Sequence, residues 1–442
     1  MNKWLRRALL GGVAMTVMAA GAQADELSAL KAQLESLQAR VATMEARAAA
    51  IPEGASLITF ERGTTGLLND ELFANKALDV APSSRGMSIA ITPTADLPAP
   101  VASIELSGYV RAVGIWHSTT EKPNADLKDF DLWARGQINL AMTTDTAVGR
   151  VTGGIQLRGD MGTSGLNEEH GASKNTNYNP STVMRTAWAR WQVTDAMSLT
   201  FGQTGQIAAL SNVAYNTVAT PVGLDSSRRP QFRLTYNAGP ANFRFGIEDA
   251  STAENEGSGK KNAMPDFAGS VGFNMGSFGF RAGGEVGKVI NVGQTAKKTG
   301  WLANAGINMN LGSMVAFNFG GAYTKGLACD GLMSAGTGRG WSGVGTLNCF
   351  NGSTLVKAWA LQGNMAFNMT DSVAMVLSAG YLKTKRDTGN AVKKAWSIDG
   401  ALVWKPVDAL QFGIEGDYFR YKDYDGNKYK AAAVGFAGWY FF

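Results

Sequence analysis

The chain has 442 residues, of which 45% are hydrophobic and only 17% charged, with 54 glycines, two histidines and two cysteines. Zinc, haem and iron–sulfur sites want three or four His or Cys ligands at close spacing, so this stock excludes most metalloenzyme chemistry and no cofactor is expected. Apolar content is too high for a disordered chain, and high glycine with low charge points to a β-rich one.

The net charge of +5 changes meaning once the first 24 residues are read. Lys3, Arg6 and Arg7, an apolar run from Ala8 to Ala20 and the small-x-small site Ala22-Gln23-Ala24 form a secretory signal peptide over residues 1–24. The apolar run is too short to span a membrane. Cleavage after Ala24 leaves 38 basic against 36 acidic residues, a near-balance that argues against a nucleic-acid partner. Export delivers the mature chain to an oxidising compartment, where Cys329 and Cys349 can pair.

Residues 25–50 carry Leu27, Leu30, Leu34, Leu37, Val41, Met44 and Ala48 at alternating spacings of three and four, the a and d seam of a heptad helix. A helix this short is marginal alone and must bury its seam. Copies of itself are the simplest partner, and packing on the rest of its own chain is the other. Leucine at both a and d suggests an oligomer without fixing its order. Pro52 stops the helix, and residues 51–101, with Pro82, Pro93, Pro98 and Pro100, read as a linker that docks at the rim or in the interior of the region after it.

Over residues 102–442 the period becomes two. Ile104, Leu106, Gly108, Val110, Ala112, Gly114 and Trp116 alternate with Glu105, Ser107, Tyr109 and Arg111; Phe130, Leu132, Ala134, Gly136, Ile138 and Leu140 alternate with Asp131, Trp133, Arg135, Gln137 and Asn139. Later runs repeat the split, and most reach the roughly 9 to 11 residues that a tilted strand needs to cross a bilayer, about twice a soluble strand. Short turns such as 144–148, 194–197, 237–240, 275–277, 311–313 and 369–371 alternate with long polar stretches at 118–128, 160–182, 204–228, 249–264, 287–299, 324–354, 383–394 and 421–429. Counting runs between them predicts an all-β chain: a 16-stranded antiparallel transmembrane β-barrel with a short N-terminal coiled-coil helix, wide enough for a water-filled lumen. Cys329 and Cys349 share one long loop, where a structural disulfide closing about 20 residues would restrict the unfolded loop by roughly 3 kcal/mol.

The last run puts Ala432, Val434, Phe436, Gly438, Tyr440 and Phe442 on one face. With this ending the chain resembles bacterial outer-membrane barrels, a resemblance that implies Phe436, Tyr440 and Phe442 form the signal read by the barrel assembly machinery. The stretch Ser107 to Arg111, SGYVR, resembles the start of alphaproteobacterial general porins, and the heptads resemble the coiled-coil trimeric porins of the DcaP-like group. The resemblance lies in pattern and strand ends over most of residues 104–442. It implies residence in the outer membrane of a Gram-negative bacterium, with the N-terminal helix in the periplasm, and passive diffusion of small hydrophilic solutes and ions.

Arg111, Arg135 and Arg158 stand eight, eight and nine residues above the short-turn ends of strands one to three, side by side and facing in. The resemblance implies that the third long loop, 203–227, folds into the barrel opposite such a ladder; here it carries one acid, Asp225. Arg111, Arg135, Arg158 and Asp225 are therefore the expected pore constriction, with a weak preference for anions. Inward Glu105, Glu248, Glu285, Glu415 and Asp417 are the candidate counter-charges, and Arg190, Arg233, Arg244 and Arg281 read first as rim charges. A channel selective for small carboxylates is the second reading, since guanidinium groups bind them bidentately. His117 and His170 have no nucleophile or second base nearby in sequence, so no enzyme is expected. Outer lysine pairs Lys260-Lys261, Lys297-Lys298 and Lys393-Lys394 suit solvent or anionic lipopolysaccharide, and outward Gly108, Ala112, Gly114, Gly153 and Gly159 suggest the seam of a homotrimer.

Overall fold

In the computed structural model, the residues described are 38, 57–64, 84–92, 102–121, 125–162, 181–210, 219–225, 227–249, 264–290, 296–329, 332–338, 347–389 and 391–442. The signal peptide, His170, Lys260-Lys261 and the heptad segment other than Gln38 lie outside them. The chain divides into two compact units, Met1–Leu57 with Thr92–Pro98, and Ile58–Ile91 with Ala99–Phe442. Of the first, Gln38 is helical and Leu57 and Thr92 are extended; the second holds every other described residue.

The strands run in chain order. β1 (Leu57–Arg62) and β2 (Met87–Thr92) fall in the segment read as a linker. Then come β3 (Ala102–Glu121), β4 (Ala125–Thr146), β5 (Gly149–Gly162), β6 (Ser181–Gln192) and β7 (Met197–Gly205). Two-residue strands β8 (Ala219–Thr220) and β9 (Gly223–Leu224) lie in the third long loop, L3, residues 206–227. The wall resumes with β10 (Arg228–Ala238), β11 (Ala241–Glu248), β12 (Asp266–Met275), β13 (Phe278–Ile290), β14 (Lys297–Leu311) and β15 (Val315–Lys325). β16 (Met333–Ser334), β17 (Thr337–Gly338), β18 (Phe350–Asn351) and β19 (Thr354–Leu355) belong to the sixth loop, L6, residues 326–356. β20 (Lys357–Asn368), β21 (Val373–Lys385), β22 (Val392–Val407), β23 (Leu410–Asp423) and β24 (Lys428–Phe441) complete the wall.

Sixteen of these strands pair antiparallel with their neighbours in sequence order, and β24 pairs with β3 to close the barrel. Closure gives each wall strand a neighbour on both sides, the arrangement by which strands cross hydrocarbon. Along β3 and β4 the period-two reading holds: Val110, Trp116, Leu132 and Ile138 are exposed outward, while Glu105, Arg111, Arg135 and Gln137 are buried inward. Aromatic pairs band the outside near both ends, Trp301–Tyr323, Trp359–Tyr381 and Trp396–Tyr418 toward the long loops and Tyr236–Phe243 and Trp404–Phe412 toward the short turns. Such girdles sit at the two membrane interfaces. Strands overrun the expected loop boundaries on the long-loop side; the first loop, read over 118–128, shrinks because β3 and β4 stay paired from Ser118↔Lys128 to Glu121↔Ala125. Above the bilayer both faces are wet, so alternation stops marking a ladder that continues.

At the closing seam Gly108 and Phe442 exchange two backbone hydrogen bonds of 2.9 and 3.0 Å. A Cβ on Gly108 would lie 2.6 Å from the Phe442 ring, and one on Gly114 the same distance from Phe436. The expectation that these glycines admit a neighbouring barrel is thus corrected at both: the chain's own terminal-strand rings fill the gaps. Below this point β2 takes over the edge of β3, pairing Met87↔Leu106 through Ala90↔Ser103, and Ser84 Oγ reaches Asp408 Oδ2 at 3.4 Å in the β22–β23 turn.

Candidate functional site

Arg111 and Arg135 are direct register partners on β3 and β4, and Arg158 on β5 lies opposite Gln137, two residues lower. All three are inward and almost wholly buried. Like charges this close need separators and counter-charge. Trp133 supplies the first, with the Arg111 guanidinium 4.5 Å and that of Arg135 5.0 Å from its ring; Trp439 flanks Arg111 at 5.6 Å. Asp160 supplies the second: it takes the Arg135 fork through Nε and through a second nitrogen at 2.8 Å, and lies 3.9 Å from Arg158 Nε. Beneath runs a polar lattice in which Tyr109 Oη donates to Gln137 Oε1 at 3.3 Å and Gln156 Nε2 to Asn139 Oδ1 at 2.8 Å.

A fourth arginine joins the wall. Between β5 and β6 the register runs Leu157↔Met184 and then Gln156↔Thr186, so Arg185 is an extra residue in a β-bulge. The bulge turns it inward beside Thr186, and its guanidinium donates to Gln156 Oε1 at 3.3 Å. Period-two reading cannot find it, because two successive inward residues break the period. Asp160 escaped for a simpler reason, having been assigned to a loop.

L3 lies on the opposite wall. As it leaves β7, the Ile207 amide donates to Glu248 Oε1 at 2.6 Å, Ser270 Oγ donates to the Ile207 carbonyl at 2.9 Å, and Asn304 Nδ2 to the Ala208 carbonyl at 2.7 Å. On the return, the Val222 amide donates to Ser397 Oγ and the Leu224 amide to Gln362 Oε1, both at 2.9 Å. Irregular backbone inside a barrel needs such partners, and here side chains of β11, β12, β14, β20 and β22 provide them. L3 is close-packed there: a Cβ on Gly283 would meet Ala208 at 3.1 Å and one on Gly380 would overlap the Val222 carbonyl. Asp225 donates its amide to the Leu332 carbonyl at 3.2 Å.

The other acids read as inward are buried, as the alternation has them. Glu248 accepts the Ile207 amide of L3, and Glu285 and Asp266 pair with Arg229 at 3.3 and 3.5 Å. Glu415 and Asp417 face in on β23, with Asp399 in register with Asp417 on β22, and β24 interposes an inner face of Ala431, Ala433, Ala437, Trp439 and Phe441 between them and β3. Arg233, read as a rim charge, is buried and hydrogen-bonded to Gln231 Oε1 and Thr200 Oγ1. His117 Nδ1 lies 3.5 Å from Asp131 Oδ2. Cys329 and Cys349 are joined, with Cα atoms 5.4 Å apart.

A closed sixteen-stranded barrel with a greasy exterior, aromatic girdles and a charged interior that holds a loop against its wall defines an outer-membrane channel protein. The chain belongs to the Porin subfamily, whose family model matches residues 102–436. Among solved structures it is similar to the outer-membrane channel DcaP of Acinetobacter baumannii, at 19% identity and a TM-score of 0.60, covering 77% of this chain and 97% of that one. It also matches OprB of Pseudomonas putida, at 10% identity and a TM-score of 0.49 over 76% of this chain and 94% of that one. OmpT of Vibrio cholerae matches at 11% identity and a TM-score of 0.47 over 78% and 99%. No curated protein matches the sequence.

Proposed function

We propose that this porin is a general-diffusion channel with a weak preference for anions, and that small hydrophilic solutes and ions pass between the arginine wall of β3–β6 and L3. The observation that carries this reading is the division of the lumen: four inward arginines occupy four adjacent strands, while L3 is held by side chains of β11 to β22 across from them. Charged groups at a narrowing set selectivity. Asp160 offsets part of the wall, and the acids of β22 and β23 draw the field toward cations, so the preference for anions is weak. Selective binding of small carboxylates is disfavoured at Arg135, whose fork already holds Asp160 in the bidentate geometry such a solute would use. The working unit is a homotrimer in the outer membrane, held on the periplasmic side by the heptad segment, and the last strand is what the assembly machinery recognises.

Reversal potentials across planar bilayers in a KCl gradient test the selectivity. Chloride should permeate faster than potassium, and clear cation preference would overturn the reading. Conductance should rise with small-dicarboxylate concentration without saturating; saturable block would instead favour the selective channel.

A further inference from the structure

L6 does not stay outside the barrel. Gly326, at φ 89°, turns the chain in just past β15, its amide donating to the Val356 carbonyl at 2.7 Å. Leu327, Leu332, Cys349, Phe350 and Leu355 then form one dry cluster with Ala208 and Ala209 of L3 and with Val289 and Leu302, inward residues of β13 and β14. An apolar cluster inside a wet lumen is stable only where segments cover one another, and here L3 and L6 do so.

The loops also share backbone ladders. Met333↔Leu224 and Ser334↔Gly223 pair β16 with β9, and Thr337↔Thr220 and Gly338↔Ala219 pair β17 with β8. Between the ladders Gly336, at φ 86°, sits so closely that a Cβ would lie 2.5 Å from the Phe419 ring on the inner face of β23 and 2.8 Å from Val222 of L3. Residues 332–336 are buried within this single chain, filling the space between L3 and β23. The feet of the excursion are fixed. Cys329 and Cys349 bracket it, and Asn348 Nδ2 reaches both Asp387 carboxylate oxygens at 3.3 and 3.4 Å, tying one foot to the loop before β22.

We propose that L6 is a second constriction element of the channel: pinned by Cys329–Cys349 and laddered onto L3, it occupies lumen that would otherwise conduct, so bore and solute cut-off depend on its docking. Among the described residues, it is L6 that fills the gap between L3 and β23. Met333, Ser334 and Gly336 are thereby size-determining positions, and the disulfide is a positioning element. The inference rests on the channel reading.

Full-length protein in planar bilayers, and in liposomes swollen with mono- to tetrasaccharides, tests it. Three variants undock L6 by separate routes: Gly336→Val through side-chain overlap, Cys329→Ser with Cys349→Ser by freeing the feet, and excision of 332–338 by removing β16 and β17 while keeping both cysteines. Each is read only where gel migration before and after boiling shows a folded barrel. KCl conductance should rise at least about twofold, and the sugar cut-off should move up by one unit or more. Folded variants with wild-type conductance and cut-off overturn the proposal. Wild-type protein that forms no channel overturns the porin reading instead, a result distinguishable at once.

Discussion

Asp160 decides how much of the arginine wall a permeating ion feels. One carboxylate is shared by two guanidinium groups, chelating Arg135 and approaching Arg158. Asp160→Asn leaves both arginines at full strength and should raise the chloride-to-potassium permeability ratio by about twofold, the size expected for one charge acting across several ångströms of water at physiological screening. Arg111→Gln should shift the reversal potential the opposite way by a similar amount, since it removes one inward positive charge from the wall. At the outer surface, Asp387 offers a separate handle. Burial raises its pKa above the ordinary carboxylate value, against the pull of the Thr388 amide and Asn348. The docked state therefore favours the neutral acid, so its contribution to holding L6 is present at low pH and lost as pH rises through the raised value. Cleavage of L6 by an added protease should slow between neutral and mildly acidic pH, and Asp387→Asn should flatten that dependence.

Strand β6 shows what alternation can and cannot tell. Lipid on one side and water on the other force period two on every wall strand, which is why sixteen strands, their short turns and the inward Arg111, Arg135 and Arg158 were legible in the sequence. Arg185 was not, because its bulge inserts a residue and resets parity. Deleting Arg185 should for this reason be tolerated: Leu157↔Met184 and Gln156↔Thr186 would become consecutive pairs of an unbroken ladder. The barrel should migrate as folded before boiling, with weaker anion preference, whereas deleting Ile115 from regular β3 turns one half of the strand inside out and should abolish folding. The lumen loops were only partly legible, since single side chains such as Glu248, Ser397 and Gln362 hold irregular backbone and leave no periodic trace. Glycines on β3 misled for a related reason. A small residue marks a close neighbour without naming it, and at Gly108 that neighbour is the chain's own Phe442. Gly108→Ala would bring Cβ to 2.3 Å from the Gln137 carbonyl as well as against the ring, and should cost about 1–3 kcal/mol, read as a lower urea midpoint for loss of the folded band.

At the scale of the whole molecule, the step beneath β24 separates two roles within the N-terminal hundred residues. β3 continues below its last pairing with β24, and the exposed edge from Ser103 to Leu106 is covered by β2, which β1 pairs in turn. An uncovered edge at a membrane rim exposes unpaired backbone groups and invites strand addition by other chains. In the proposed trimer the heptad segment is expected to do a different job, joining copies through its leucine seam. Two truncations tell these roles apart. Removing residues 25–50 should leave each barrel's unfolding midpoint and single-channel conductance unchanged while lowering the mass of the detergent-extracted particle toward that of one chain. Removing residues 25–92 should do this and also lower the unfolding midpoint, since Ser103, Ile104, Glu105 and Leu106 then lose their ladder on one side. If the shorter truncation alone destabilised the barrel, the helix would be packing against its own barrel rather than against its copies, and the heptad spacing would have to be read as an intrachain seam.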